Sequence, residues 1–380
     1  MPTLRDTVEH LATIERPSAS DGERRAAEWI HARLAEPGLD ARIETERAHG
    51  TYWVPLGLLS AAAAAAGLAG PRPLAAAVGA LAAAGVAEDV SAGPQLTRRA
   101  LRHRATSNVV AAAGDPAAPR TVVFVAHHDA AHGGLVFDPR LVHALADTFP
   151  RWYERQEAWP PLMGPVVAGP ALVAAGALAG APRVRRAGAA VALGAALAFA
   201  DIGARRVVPG ANDNLTGVAT LVELGRRLAE RPADGVRVLL VSTGSEESFM
   251  EGMRGFARRH FRHLPRASTE FVCVDSVGSP ELVLIEGEGM LRMRDYTPEL
   301  RDRLADAAAG AGVHLRRGLK LTLATDGLIA LKAGYRSAAL GSVDAYKVPS
   351  NYHAPTDVPA NVDYDTVAGA VAVCEALIRS

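Results

Sequence analysis

From Thr106 onward the chain alternates short β-branched runs with helical stretches, and this alternation restricts the fold more than any other feature. The runs are SNVVAAA, TVVFVAHHD, VRVLLVSTGSEE, EFVCVDSVG and SAALGS, separated by patterns such as Gly217 to Leu228. Strands joined by helical crossovers run parallel, and near-continuous apolar strands are buried on both faces. The predicted class is therefore α/β, a mostly parallel central sheet flanked by helices. Upstream, Leu4, Val8, Leu11 and Ile14, then Ala26, Ala27, Ile30 and Leu34, give two amphipathic helices, with a start signal at Ser20 to Glu23 between them.

Two insertions break the scheme, Thr51 to Ala87 and Pro160 to Ala200. In each, proline and arginine (Pro71-Arg72-Pro73; Pro182 to Arg186) split two alanine-rich apolar runs, so each reads as a hairpin of antiparallel helices. The predicted organisation is one α/β domain from 1–50, 91–155 and 203–380, with hairpins at 51–90 and 156–202. The runs Leu74 to Ala87 and Ala187 to Ala200 fall short of the roughly 20 apolar residues of a crossing, with Glu88, Asp89 and Asp201 directly after them. Against this, the runs lack a polar face, and Tyr52, Trp53, Trp152, Tyr153 and Trp159 precede each hairpin like interfacial anchors. The expectation is membrane association through both hairpins; a lid over the site or an oligomerisation arm are the alternatives. Each hairpin returns the chain to the side it left. Arginines in the flanks (Arg98, Arg99, Arg102, Arg104, Arg151, Arg155, Arg205, Arg206) outnumber those in the turns, which favours a catalytic domain on the cytoplasmic side of the cell membrane.

Forty-one basic residues balance forty-one acidic ones, so no global field favours nucleic acid, and partners have to be argued from sites. Two cysteines are too few for a disulfide framework or a four-cysteine zinc cluster and fit a cytoplasmic compartment. Cys273 lies inside a predicted strand and reads as structural.

The chemistry sits at strand ends. TVVFVA ends in His127-His128-Asp129, where open α/β sheets build their sites; alternation lets only one of the two imidazoles face it. Gly210 to Gly217 presents Asp213 just ahead of a helix, either as a turn residue or as a carboxylate able to bridge two cations. Glu246 and Glu247 follow VRVLLV, Asp275 follows EFVCV, and Tyr352 and His353 stand before Asp357 in a late loop. Adjacent glutamates usually mean a solvated loop, but in a hydrolase one can bind metal while its neighbour takes a proton from water. Each element is weak alone; their order makes coincidence a poor explanation.

In that order, H-x-D, G-A-x-D-N-x-T-G, E-E, D and Y-H-x-x-x-D, the chain resembles the co-catalytic zinc peptidases of clan MH, the group of aminopeptidase S, aminopeptidase Y and glutamate carboxypeptidase. The resemblance spans Met1 to about Arg47 and Thr106 to the C-terminus. It implies two zinc ions, one on His127 and Asp275, one on Glu247 and His353, with Asp213 bridging them. It implies Glu246 as general base, Tyr352 as a donor to the oxyanion, Asp129 behind His127, and Asp357 supporting the His353 loop. Asn212 stands where aspartate is frequent, Phe249 replaces a usual glycine, and Ala324-Thr325-Asp326-Gly327 resembles a Ser-Asp-His element without its histidine. The implied activity is a zinc exopeptidase that removes N-terminal residues from peptides through a metal-bridging hydroxide. The rivals are a glutaminyl-cyclase-like acyltransferase, which resembles a one-zinc version of the fold, and a non-catalytic scaffold or receptor, in which ligands would be lost.

Overall fold

The computed structural model describes residues 3–158 and 162–380, the side chain of Leu141 excepted. Trp159 and Pro160, placed by the sequence at the entry to the second hairpin, lie outside the described residues. The strands are β1 (Asp40–Ala48), β2 (Arg104–Gly114), β3 (Arg120–His127), β4 (Val236–Thr243), β5 (Thr269–Val274), β6 (Glu281–Glu288), β7 (Arg294–Asp295), β8 (Arg316–Leu321) and β9 (Arg336–Val343). The helices are α1 (Leu4–Ala12), α2 (Asp21–Ala35), α3 (Trp53–Ala69), α4 (Arg72–Val90), α5 (Arg140–Thr148), α6 (Pro150–Glu154) and α7 (Gly164–Leu178). They continue with α8 (Pro182–Ala204), α9 (Thr216–Glu230), α10 (Glu251–His260), α11 (Pro298–Gly310), α12 (Gly327–Lys332) and α13 (Tyr364–Arg379).

Among the described residues the strands form one sheet in the order β1-β2-β4-β3-β5-β9-β6-β7, with β8 on β6. The four strands β4, β3, β5 and β9 are parallel, as the alternating pattern requires. Outside them β1, β2 and β6 pair antiparallel, so the sheet as a whole is mixed. Alternation sorts the core: Val122 and Phe124 of β3 point to a face covered by Val8, Ile30, Leu221 and Val371, while Val123 and Val125 meet Met253, Phe256 and Leu328 on the other. Each such fully buried side chain contributes about 1.5–3 kcal/mol.

The base of the apolar hairpins completes the second face. Tyr52, Leu56, Val86, Phe199 and Ile202 belong to the same cluster as Val123 and Leu239. Beyond it α3, α4, α7 and α8 pack into a four-helix bundle. The bundle is built of small residues inside and large apolar ones outside. Ala63, Ala75, Ala189 and Ala192 are fully buried, whereas Leu58, Leu81, Leu178 and Leu197 are 63%, 72%, 73% and 62% exposed. Glycines set the close approaches: a Cβ on Gly79 would lie 2.8 Å from the main-chain nitrogen of Ala174, and one on Gly188 2.6 Å from that of Val173.

The helices also run further than the apolar runs. Glu88 and Asp89 fall inside the 19 residues of α4, and Asp201 inside the 23 of α8, so both helices are long and apolar enough to cross a membrane. Their acids are used locally: Asp89 forms a buried ion pair with Arg98 at 2.8 Å, Glu88 accepts the main-chain N–H of Leu96 at 3.0 Å, and Asp201 that of Leu135 at 2.7 Å. In the distal turns Arg72 donates to the carbonyl of Ala177 and Arg185 to that of Gly70, satisfying free carbonyls at helix ends. Two of the aromatic residues read as interfacial anchors are instead packed inside the protein. Tyr52 stacks on Phe249 with ring centroids 4.6 Å apart, and Tyr153 is buried with its hydroxyl donating to the carbonyl of Tyr346.

Two outcomes test this packing. Gly79→Val forces side-chain atoms into the backbone of α7 and is expected to destabilise by at least about 1–3 kcal/mol, whereas outward Leu81→Ala changes stability by under about 0.5 kcal/mol. Thermal unfolding of both variants in detergent compares them directly. Glu288, fully buried at the end of β6, accepts the N–H and hydroxyl of Thr325, and burial pushes its carboxyl from 4.5 up to about 8. Because the folded value lies above the unfolded one, this contribution to stability is complete below the ordinary value and is lost as pH rises through about 8. Glu288→Gln is therefore expected to gain on wild type in Tm between about pH 6 and about pH 9; a constant difference would contradict the assignment.

Candidate active site

The C-terminal ends of β4, β3 and β5 and the loop after β9 converge on one cavity of about 500 Å³. His127 is the last residue of β3, and the Glu246-Glu247 pair follows β4 in a tight turn where Ser245 has a positive φ of 52°. Asp275 lies one residue past β5, and Asp213 sits in the irregular turn before α9. His353, with φ 51°, comes from the late loop. All nine residues that the resemblance implies are brought to this one region.

Asp213 is its centre. Its Oδ1 lies 3.1 Å from His127 Nε2 and its Oδ2 3.2 Å from His353 Nε2, one oxygen to each imidazole. Glu247 Oε2 is 3.2 Å from His353 Nε2, and Asp275 Oδ2 and Glu246 Oε2 are each 3.9 Å from His127 Nε2. The donors therefore separate into two groups that share Asp213, with His127 and Asp275 on one side and Glu247 and His353 on the other. His127, Asp213 and Glu247 place ligand atoms within 4.8 Å of one another, and Glu247 Oε1 is buried without a hydrogen-bond partner. Nitrogen and oxygen donors on a concentration of negative charge fit zinc.

The electrostatics follow from crowding. Burial disfavours charge on His127, but hydrogen bonds to Asp129 and Asp213 and the charges of Glu246 and Asp275 hold its pKa well above the ordinary range. His353, against the same burial, is pushed up to about 10 by Glu247 and Asp213. Burial raises Asp275 to about 6 and Glu246 well above the usual carboxylate range, with repulsion from neighbouring acids adding to both. Asp213 is held well below that range because its hydrogen bonds to both imidazoles outweigh desolvation.

Asp129 ties the parts together. It lies 3.4 Å from His127 Nδ1 and accepts the Ser18 hydroxyl at 2.6 Å and the main-chain N–H groups of Glu246 and Glu247 at 3.0 and 3.1 Å. One buried carboxylate thus orients the first imidazole and the glutamate pair. His128 points to the opposite side, with Nδ1 2.9 Å from Ser242 Oγ, as strand alternation requires. Tyr352 stacks on His353 at 3.9 Å between ring centroids, and Phe137 meets the same imidazole edge-on at 4.4 Å. Asp357 accepts the N–H groups of Asn212 and Asp213 at 2.7 and 3.1 Å while its own N–H donates to the Ala354 carbonyl at 2.9 Å, so it ties the His353 loop to the Asp213 turn. His132 donates to the carbonyl of Arg205 and packs on Trp53.

Sequence reading passed over several supports. Buried Arg16 donates to the carbonyls of Pro209 and Gly210 at 2.6 and 2.7 Å, fixing the approach to Asp213. Glu23, read only as part of a helix start, accepts the hydroxyls of Ser245 and Thr106, each at 2.8 Å, and so holds the turn that carries Glu246. Asp326, from the element lacking its histidine, accepts the Thr243 hydroxyl, and burial raises its carboxyl to about 7. Asn212, the departure from aspartate, uses its amide oxygen and nitrogen on Gly278 and Ser279, which ties the Asp213 turn to the loop after β5.

Residues 196–378 match the model of peptidase family M28. No curated protein matches the sequence. Among solved structures the chain is similar to a glutaminyl cyclase of Bacteroides thetaiotaomicron, with 13% identity, a TM-score of 0.58, and coverage of 100% of this chain and 97% of that one. A Zn-dependent exopeptidase from Parabacteroides distasonis gives 12%, 0.58, 100% and 97% in the same order. An aminopeptidase from Aneurinibacillus sp. strain AM-1 gives 14%, 0.54, 99% and 92%. At these identities the structures share the fold, while the family match covers the part of the chain that supplies Asp213, Glu246, Glu247, Asp275 and His353. The chain is a metallopeptidase built on the zinc exopeptidase fold, similar over residues 196–378 to peptidase family M28.

Proposed function

We propose that the protein is a two-zinc aminopeptidase, held at the cell membrane by its four-helix bundle with the catalytic domain on the cytoplasmic side. The observation that carries the reading is Asp213, with one oxygen toward each of two imidazoles and a second carboxylate beside each imidazole. His127, Asp275, Asp213, Glu247 and His353 would hold the ions. Bound there, zinc would polarise a scissile carbonyl and lower the pKa of water.

The chain's own groups divide the remaining work. Glu246, on the cavity wall beside the metal donors, takes a proton from the attacking water and delivers it to the leaving amine. The Tyr352 hydroxyl donates to the developing oxyanion, its ring held by stacking on His353. A carboxylate-rich end to the cavity suits a free ammonium group, which favours attack at the amino terminus. Phe137, set against the His353 ring, lines the cavity together with Ile285 and Leu319, and these apolar side chains exclude water from the bond being cut.

The bundle supports membrane attachment through its inverted packing. Large apolar side chains face outward and alanine and glycine face inward, the arrangement expected where the surroundings are lipid and close van der Waals packing holds helices together. Exposed arginines gather at the end next to the catalytic domain, which favours the cytoplasmic orientation.

Glu246→Gln is expected to lower kcat by about 10²–10⁴-fold on peptide substrates while retaining two zinc ions per chain, and Tyr352→Phe to lower it about a hundredfold. Elemental analysis alongside release of the first residue from a peptide panel measures both. Unchanged activity in Glu246→Gln would overturn the assignment. Because glutaminyl cyclases share the fold, the panel includes an N-terminal glutaminyl peptide; cyclisation without cleavage would favour the acyltransferase reading instead.

A further inference from the structure

A strap of chain crosses the cavity mouth between two attachments to the bundle. At its start a Cβ on Gly134 would lie 2.9 Å from Ile202, and the Leu135 N–H donates to Asp201 at 2.7 Å, so this end is fixed to the foot of α8. At its other end Met163 packs on the cluster that contains Val166 and Ile202, immediately before α7 begins. Between them the strap, in its described residues up to Ala158, reaches across the site. Phe137 touches the His353 ring, His143 stacks on Tyr346 at 3.9 Å, and Ala158 bridges to Lys320 of β8.

The two sides of the strap differ. Phe137, Val142 and Tyr153 face the cavity. On its outer side Leu135, Phe149 and Trp152, none of them in the cavity lining, are 67%, 56% and 43% exposed, with exposed Arg151, Arg155 and Glu154 among them. Large apolar and aromatic side chains interleaved with arginine form the pattern of a segment that rests on lipid headgroups. This surface continues into the foot of the bundle, where Arg205 and Arg206 stand 49% and 91% exposed. An exposed apolar patch of this kind marks an interaction surface, and its continuity with the foot of the bundle points to lipid.

We infer that the strap lies on the bilayer surface and that the cavity takes peptides tethered in that same bilayer, cleaving at an amino terminus that reaches the mouth along the headgroup plane. This names the substrate class for the peptidase and membrane readings above and rests on both. Tethering raises the local concentration of the peptide at the mouth without requiring a new contact in the cavity.

The test reconstitutes the full-length chain in phosphatidylcholine–phosphatidylglycerol vesicles with two peptides of one sequence, one soluble and one carrying a C-terminal palmitoyl-lysine. Release of the first residue is followed by mass spectrometry for wild type and for a Phe149→Ser, Trp152→Ser double variant, whose altered positions lie outside the cavity lining. Wild type is expected to favour the tethered peptide by about tenfold or more in kcat/KM. The variant is expected to lose that preference while cleaving the soluble peptide within about twofold of wild type. Equal cleavage of both peptides by wild type, or a preference retained in the variant, overturns the inference. Flotation with vesicles but no cleavage of either peptide overturns it through the peptidase reading, and cleavage without flotation through the membrane reading.

Discussion

Four carboxylates, those of Asp213, Glu246, Glu247 and Asp275, face two imidazoles in one buried cluster, and the rest of the structure depends on holding them there. Two like charges about 4 Å apart repel by about 4 kcal/mol at an effective dielectric of 20, so such a cluster needs compensating positive charge and a rigid frame. Parallel strands supply the frame by ending side by side. The finer positioning comes from buried groups that touch no substrate: Asp129 on the glutamate pair, Asp357 and Arg16 on the Asp213 turn, and Glu23 on Ser245. Their hydrogen bonds fix main-chain atoms as well as side chains, which is why the donor groups keep their spacing.

The apolar bundle is part of the same construction. Tyr52 at the head of α3 stacks on Phe249, two residues from Glu247, and Phe199 of α8 meets Tyr52 edge-on at 6.1 Å. Arg98 donates to the Ser248 carbonyl at 2.7 Å while paired with Asp89 of α4. Removing one partner from a buried ion pair costs about 3–5 kcal/mol, so the foot of the bundle and the catalytic turn are energetically joined. An environment that stabilises the bundle therefore also stabilises the turn that presents Glu246.

What could be read from the chain and what could not divide along physical lines. The central strands are legible because burial on both faces leaves continuous β-branched runs, and the metal donors are legible because they follow those runs directly. Strand β1, DARIETERA, gives no such signal: it lies at the sheet edge, and its Glu44 and Glu46 are matched instead to His260 and Arg259 of α10. The roles of Arg16, Glu23 and Asp357 rest on partners far away in sequence, so their local context reads only as loop or helix start. Helix length in the bundle was under-read for a related reason. Asp89 and Asp201 look like terminators until their partners, Arg98 and the Leu135 amide, are known.

Diffraction from crystals of the zinc-loaded, full-length protein on either side of the zinc absorption edge shows directly whether Asp213 lies between two metal ions. Two anomalous peaks per chain are expected to flank the Asp213 carboxylate, one against His127 and Asp275 and the other against Glu247 and His353. A single peak, or peaks away from Asp213, would contradict the two-zinc reading.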